Sequence, residues 1–320
     1  MTKEPVAPEN VHTIFNFNLP FAIPVPDGLY EIALGGKNAN ISIKRVQRSH
    51  FAGGSATGFV QIDFDKYGLS SYSCISIKFS WKLDLEEEGR TPLLIEGEQP
   101  RMKAKETVIH FLNRFIDAVR YSTQQYWIEH VRYQDLSSYS VSYWDGKQSV
   151  QAVKKFIDLG VGGIKVSLAN PFQVEPEIES NLRDLLLHER PLDLGKMLLL
   201  NSKDACLQED FRLAIIEAVI ALEVVLYNFI TVRGKAIGLS KEKLELIKKV
   251  GLTGKINREL KKLTNGLEQI DDGTLNECTA AITMRNGILH RGLTDVASTD
   301  TEKRILAINR MVDYLKRVAP

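Results

Sequence analysis

Cysteine is scarce in this chain, which limits the kinds of site it can build. Cys74, Cys206 and Cys278 are far apart and no CxxC pair occurs, so the sequence predicts neither a cysteine zinc site nor a disulfide framework. This usage is typical of the reducing cytoplasm, where we expect the protein to reside. The histidines outside the last third of the chain are isolated and lack metal-ligand spacing: His12, His50, His110, His130 and His188.

Nucleotide-binding and nucleophile motifs are absent as well. No Walker loop, GxGxxG or GxSxG pattern occurs, and we interpret the glycine-rich run at 53–58 as a hairpin loop because no helix is predicted after it. A formal net charge of +1 gives no overall attraction to a polyanion, so a nucleic-acid interpretation needs a local basic patch. Residues 1–10 show no signal-peptide pattern.

One segment is apolar enough to resemble a membrane span. Residues 213–232 are nearly all apolar, but Glu217 and Glu223 lie near the centre of the run. Each carboxylate would cost roughly 2–3 kcal/mol in a bilayer. We therefore expect a buried helix of a soluble bundle and no membrane association.

The first part of the chain predicts an α+β domain over residues 1–172. Alternating apolar residues indicate strands at 75–83, 30–34, 41–43 and 60–64. A helical period predicts a helix over 103–126, followed by strands at 139–143 and 164–168 and a short helix near 150–157. Residues 86–100 are acidic and turn-rich, and we expect a long loop there.

The second part of the chain predicts an all-α bundle. Pro171 and Pro191 interrupt the sequence, so residues 173–200 are expected to form a helical connection and residues 201–320 the bundle. Apolar spacing predicts helices at 175–188, 205–233, 240–250, 255–268, 274–291 and 300–318. We expect Gly273-Thr274 and Ser298–Asp300 to cap the last two helices, and Gly292 to end the helix at 274–291.

Arg285 stands on the apolar stripe of the helix predicted at 274–291. The apolar residues within about 80° of it around a helix are Leu275, Cys278, Ala281, Ile282, Ile288 and Leu289. A guanidinium keeps its charge, so on that face it needs a carboxylate, a phosphate or a partner interface. Asn286 and His290 are four residues apart and share a separate polar stripe. A structural arginine, with His290 as a helix C-terminal cation, explains the same spacing.

A carboxylate on the long helix is a candidate partner for this arginine. Glu223 lies on an apolar face together with Ile216, Val219, Leu226 and Ile230. We hypothesise that Glu223 and Arg285 pair within the bundle, or that Glu223 orients a catalytic group. Breaking a buried pair would cost roughly 3–5 kcal/mol. The alternative is that Glu223 points to an interdomain surface.

The last third of the chain resembles the HEPN superfamily, and is closest to its Apea-like bacterial members. The residues that carry the resemblance are the run Asp210-Phe-Arg-Leu-Ala-Ile-Ile-Glu-Ala-Val-Ile-Ala-Leu-Glu223 and the later run Met284-Arg-Asn-Gly-Ile-Leu-His290. The family motif is Arg, often followed by Asn, then three residues and His. The resemblance covers roughly residues 200–320, and residues 111–120 also resemble N-terminal regions of such proteins.

The resemblance implies a bundle of four to five helices that dimerises and brings two copies of the motif together. Active members cleave RNA without a metal ion or other cofactor, using the ribose 2′-hydroxyl as nucleophile. Carried over to this sequence, His290 acts as general acid or base, Arg285 stabilises charge on the phosphorane oxygens, and Asn286 orients the motif or a phosphate. Members modified by a partner nucleotidyltransferase carry tyrosine two residues after the histidine; Gly292 stands there, which argues against that regulation.

A basic stretch precedes the motif helix. It includes Lys248, Lys249, Lys255, Arg258, Lys261 and Lys262. These residues are candidates for holding RNA phosphates. The alternative is a solvated helix face that binds nothing.

These features together predict an α+β domain followed by a HEPN-like helical bundle. The expected function is metal-independent cleavage of RNA by a cytoplasmic homodimer in bacterial stress or anti-phage defence, with the first domain as sensor or regulator. The alternatives are a non-catalytic HEPN protein that binds nucleotides or partner proteins, and a dimeric scaffold with a decayed motif.

Overall fold

The computed structural model describes residues 12–19, 21–47, 49–52, 59–62, 71–81, 103–132, 135–136, 139–144, 149–154, 174–264 and 270–320. The chain divides into two compact units, Met1–Pro191 and Leu192–Pro320. The expectations for residues 53–58, 86–100 and 164–168 lie outside the described residues.

Eight antiparallel strands are described in the first unit. In chain order they are β1 (His12–Asn18), β2 (Gly28–Leu34), β3 (Lys37–Gln47), β4 (Ser49–Ala52), β5 (Phe59–Ile62), β6 (Ser71–Phe79), β7 (Tyr139–Trp144) and β8 (Ser149–Lys154). Six of them form one sheet in the order β2-β3-β6-β1-β7-β8, and β4 pairs with β5 separately. In the register of β1 and β6, Phe15 lies opposite Ile77.

Two helices complete the core of the first unit, α1 (Lys103–Thr123) and α2 (Pro176–Leu187). Alternate strand residues such as Phe15, Tyr30 and Ile77 are fully buried and share one core with apolar residues of both helices. The ring of Phe115 on α1 meets the ring of Tyr30 edge-on at 5.2 Å. The sheet face and the apolar stripe of α1 therefore cover each other.

The strand and helix periods of the first unit were mostly assigned correctly. Strands at 30–34, 41–43 and 139–143 and the helix from 103 are confirmed, while the strand predicted at 75–83 begins earlier, at Ser71. The short helix predicted near 150–157 is wrong, because β8 occupies this position and pairs Val150 with Tyr143 on β7. In β8, Val150 and Ala152 alternate with Ser149 and Gln151. A run this short does not distinguish the alternation of a strand from the spacing of a helix.

Helices make up the second unit. They are α3 (Leu194–Leu207), α4 (Phe211–Ala236), α5 (Lys241–Lys249), α6 (Leu252–Gly254), the π-helical turn π1 (Lys255–Leu260), α7 (Lys261–Leu263), α8 (Asp272–Arg291) and α9 (Ser298–Val318). Residues 173–200, expected to form a helical connection, contain α2 of the first unit and the start of α3 of the second.

Helix α4 is the central element of the second unit. It packs against α3, α8 and α9, and Ala214, Ala218, Leu222 and Leu226 on it are fully buried. It is the one helix among the described residues long and apolar enough to cross a membrane, and 56% of its apolar window is buried inside the protein. These contacts fit the core helix expected from the sequence.

Helix boundaries in the second unit differ from the sequence prediction at three places. The helix predicted at 205–233 is two helices, because the chain turns at Glu209, whose φ is +61°, and Asp210 begins α4 by accepting a hydrogen bond from the Leu213 N–H at 3.1 Å. The expected cap at Gly273-Thr274 is wrong, because Asp271 caps α8 instead. The cap of α9 is Ala297, whose side chain makes no capping bond.

Glu217 on α4 provides a test of this packing. Its Oε2 atom is buried without a hydrogen-bond partner among the described residues, and burial raises the pKa of its carboxyl above the ordinary 4.5. The folded state therefore binds this proton more tightly than the unfolded chain, and stability is lost as pH rises from the ordinary pKa through the raised one. We expect Glu217→Gln to raise the urea midpoint at about pH 7. At about pH 3.5 the substitution should leave the midpoint unchanged, because the Glu217 carboxyl is then neutral in both the folded and the unfolded state.

The control for this substitution is Glu177→Gln, which changes an exposed carboxylate on α2. It should give no gain in stability at neutral pH, since no desolvated charge is removed. A loss of stability in Glu217→Gln at neutral pH would contradict the placement of Glu217.

Candidate functional site

Helix α8 carries the three motif residues and ends directly after them. At its start, the Oδ1 atom of Asp271 accepts a hydrogen bond from the Thr274 N–H at 2.8 Å. At its end, Gly292 adopts a left-handed conformation with φ of +65° and donates its N–H to the carbonyl of Gly287. Glycine adopts this conformation without strain. The prediction that Gly292 ends the helix is confirmed, and His290 lies in the last turn.

Arg285 lies at the border of the helical core. Cys278, Ile282 and Ile288 are buried on one side of it, whereas Leu289 is 52% exposed. The Arg285 side chain itself is 21% exposed. Leu289 belongs to the apolar stripe predicted around Arg285, and that side of α8 reaches solvent in the single chain. Arg285 therefore stands where its charge is neither fully solvated nor fully enclosed.

Glu223 on α4 and Arg285 on α8 form an ion pair, as hypothesised. The Nη2 atom of Arg285 donates to Oε2 of Glu223 at 3.2 Å, and Nη1 donates to Oδ1 of Asn286 at 3.1 Å. The Glu223 side chain is 46% exposed. Because water reaches the pair, its coupling belongs to the range of exposed pairs, roughly 0.2–1 kcal/mol, and not to the 3–5 kcal/mol considered for a buried pair.

The guanidinium of Arg285 is only partly used by these two contacts. A guanidinium has five N–H donors, and among the described residues one carboxylate and one amide accept hydrogen bonds from them. The Nε atom is buried and has no hydrogen-bond partner among the described residues. Unused donors on a partly buried arginine cost free energy that a bound acceptor would recover.

A cleft of about 270 Å³ opens beside the ion pair. One wall consists of Glu223 on α4 together with Ile282, Arg285 and Asn286 on α8. A second wall is the segment from Gly251 to Gly254, where α6 begins. The cleft therefore combines a carboxylate, a guanidinium and an amide with a short stretch of glycine-flanked backbone.

The segment that forms the second wall is anchored behind the cleft. Ile256 and Leu263 are buried in the helical core, and Nε of Arg233 on α4 donates to the carbonyl of Leu263 at 3.1 Å. A side chain at Gly251 would meet only open space. This wall was not predicted from the sequence; the available signal was a pair of glycines, Gly251 and Gly254, flanking Leu-Thr at the start of a helical segment.

His290 is exposed at the end of α8. It lies one turn, about 6 Å, beyond Asn286 on the same side of the helix. From Arg285 it is separated by about 7.5 Å along the axis and about 140° around it. Within the described part of the chain its imidazole makes no hydrogen bond. The structure thus brings Glu223, Arg285 and Asn286 into contact and leaves His290 next to them with free ring nitrogens.

The basic residues that precede α8 carry less free charge than the sequence indicated. Lys248 pairs with Glu245 at 3.1 Å, and Lys261 lies 4.0 Å from Asp272. Arg258 and Lys262 both pair with Glu259. Lys255 is 7% exposed. Of the six residues proposed to hold RNA, Lys249 is the one that is exposed without a carboxylate partner among the described residues.

Cys278, on α8, is a buried free cysteine. Burial raises the pKa of the Cys278 thiol to about 12, so this sulfur stays protonated at neutral pH. In the described ranges, no three His, Cys, Asp or Glu side chains are grouped as a metal ion would need.

Comparisons of the chain with protein-family models, with curated proteins and with solved structures found no match. The resemblance to the HEPN superfamily therefore rests on the residues of this sequence alone.

The coupling between Glu223 and Arg285 can be measured with a double-mutant cycle of Glu223→Gln and Arg285→Gln. We expect a coupling of roughly 0.2–1 kcal/mol in the free energy of unfolding, because both side chains are partly solvated. Urea denaturation followed by circular dichroism gives the four values. A coupling above about 3 kcal/mol would indicate a fully buried pair and would contradict the partial exposure of both side chains.

Proposed function

We propose that this chain is a metal-independent endoribonuclease of the HEPN type that acts as a homodimer in the bacterial cytoplasm. The observation that carries the proposal is the arrangement on α8. Arg285 pairs with Glu223 on the wall of a cleft, and His290, at the end of the same helix, makes no hydrogen bond to the described residues. An imidazole and a guanidinium supply the proton transfer and the charge stabilisation that transesterification of RNA requires.

The proposed reaction is attack of a ribose 2′-oxygen on the adjacent phosphorus. One His290 accepts the proton of the 2′-hydroxyl, the bond from phosphorus to the 2′-oxygen forms, and the bond to the 5′-oxygen of the next nucleotide breaks. A water molecule donates a proton to that leaving oxygen, so each site uses one His290. The N–H donors of Arg285 stabilise the charge that develops on the non-bridging oxygens. The products are a 2′,3′-cyclic phosphate and a 5′-hydroxyl.

The direction of the side chains on α8 supports a site shared between two copies. Arg285 and His290 differ by about 140° around the helix axis, so a single helix does not aim both at one phosphate. Leu289 and Leu293, close to the motif, are 52% and 37% exposed and offer apolar surface for a two-fold contact. In the dimer, Arg285 of one copy and His290 of the partner subunit face the same phosphate.

The first unit has the role of sensor or regulator in this proposal, within stress or anti-phage defence. Its support is structural independence, since its sheet and helices enclose a hydrophobic core separate from that of the helical unit. A unit with its own core can respond to a trigger without contributing residues to the catalytic centre.

A second candidate function follows from the ion pair itself. Glu223 lies 3.2 Å from Arg285 and neutralises part of its charge, which weakens the arginine as a stabiliser of a phosphorane. A non-catalytic HEPN protein that binds nucleotides or partner proteins would tolerate this neutralisation better than a nuclease.

Cleavage of RNA in excess EDTA distinguishes the two candidates. We expect the wild-type protein to cleave single-stranded RNA without metal ions, and His290→Ala and Arg285→Ala each to lose at least about a hundredfold in rate. The 3′ ends should carry cyclic phosphate, read by mass spectrometry. His290 is exposed, so its substitution should leave the thermal midpoint unchanged.

Matched controls are His188→Ala and Arg310→Ala, which remove an exposed histidine and an exposed arginine from other helix positions. Both should cleave at the wild-type rate, and light scattering should find all variants dimeric. Cleavage that persists in both motif variants, or that requires a metal ion, would overturn the nuclease proposal.

A further inference from the structure

The cleft beside Arg285 offers hydrogen-bond donors and an acceptor that the protein does not use. Arg285 retains unused N–H donors after its bonds to Glu223 and Asn286, and the amide N–H groups of Asn286 have no partner among the described residues. The Oε1 atom of Glu223 is likewise unengaged in the described part of the chain. A ligand that satisfies both sets must present an oxyanion and a hydrogen-bond donor side by side.

We propose that this cleft binds the ribose–phosphate unit of a ribonucleotide, with the phosphate on Arg285 and a ribose hydroxyl on Glu223. The choice of a ribonucleotide over other ligands with the same two groups rests on the proposed function. A phosphate accepts from a guanidinium through two parallel bonds, and a hydroxyl on the neighbouring ribose carbon donates to a carboxylate.

Glu223 argues against a simple anion as the ligand. Its carboxylate lies 3.2 Å from Nη2 of Arg285, so an anion that binds the guanidinium also meets a negative charge a few ångströms away. A ligand hydroxyl changes this relation, because the carboxylate then accepts a hydrogen bond from the ligand. The carboxylate consequently favours a phosphate that carries a hydroxyl next to it.

The size of the cleft fits one such unit. Its volume of about 270 Å³ lies below the range of roughly 300–1,000 Å³ that drug-sized ligands occupy. Leu252 and Ile282 provide apolar surface to the lining, and Thr253 adds a hydroxyl. A ribose–phosphate is accommodated between these walls, whereas the base remains outside and is not read.

The position of the cleft relates it to the proposed reaction. Asn286 borders the cleft, and His290 lies one helical turn, about 6 Å, beyond it. A phosphate in the cleft therefore sits beside the imidazole of its own chain and not on it. In the proposed dimer, the phosphate held on Arg285 is the one that His290 of the partner subunit faces, and Glu223 distinguishes RNA from DNA by the 2′-hydroxyl next to that phosphate.

The test compares two non-cleavable probes, uridine 3′-phosphate and 2′-deoxyuridine 3′-phosphate, by calorimetric titration of the full chain. We expect the ribonucleotide to bind about tenfold more tightly, the effect of one hydrogen bond to a charged acceptor. In Glu223→Gln the preference should fall to about twofold, while binding of inorganic phosphate becomes tighter because the repelling charge is gone. Arg285→Ala should lose binding of both nucleotides.

Glu217→Gln is the matched control, since it neutralises another carboxylate of α4 that does not line the cleft. It should keep the tenfold preference. The assignment would be overturned if the two nucleotides bound equally or if neither bound at millimolar concentration. It would also be overturned if the free amino acid glycine, which likewise carries an oxyanion and a hydrogen-bond donor, bound in their place. If RNA is cleaved but the nucleotides bind alike, this inference fails alone; if the preference stands without cleavage, the nuclease proposal fails alone.

Discussion

The contact between Glu223 and Arg285 constrains the rest of the site. Arg285 is a permanent cation at the border of the core on α8, and α4 is the helix that supplies its carboxylate. Since α4 is packed by α3, α8 and α9, the carboxylate is fixed by the whole bundle. The ion pair directs the guanidinium toward α4, and both side chains line the cleft.

The contact that defines the site was predictable because it follows from local periodicity. Glu223 and Arg285 each stand on an apolar helical stripe in the sequence, and two opposite charges in such positions have few other ways to be satisfied. The wall at Gly251–Gly254 was not predictable, since it depends on how π1 and α7 are anchored to α4 through Arg233. The strand β8 was not predicted, because a run of six residues fits both the alternation of a strand and the spacing of a helix.

Charge counts from the sequence overstated the attraction of this region to RNA. Glu245, Glu259 and Asp272 lie close to the basic residues and pair with them in the fold. Which carboxylate meets which lysine depends on the packing of α5, π1 and α8, and composition alone does not reveal it. An RNA chain bound here would be held mainly by a few directed contacts, at the cleft and across two copies of α8, and little by a diffuse basic surface.

A site shared between two copies is the central requirement of this account. Mixed dimers prepared by refolding Arg285→Ala and His290→Ala chains together test it directly. We expect the mixture to cleave RNA although each parent protein is inactive, because every mixed dimer contains one site with both an intact Arg285 and an intact His290. If mixed dimers form and cleave no faster than the parents, Arg285 and His290 do not act across two copies, and the proposal of a shared site is wrong.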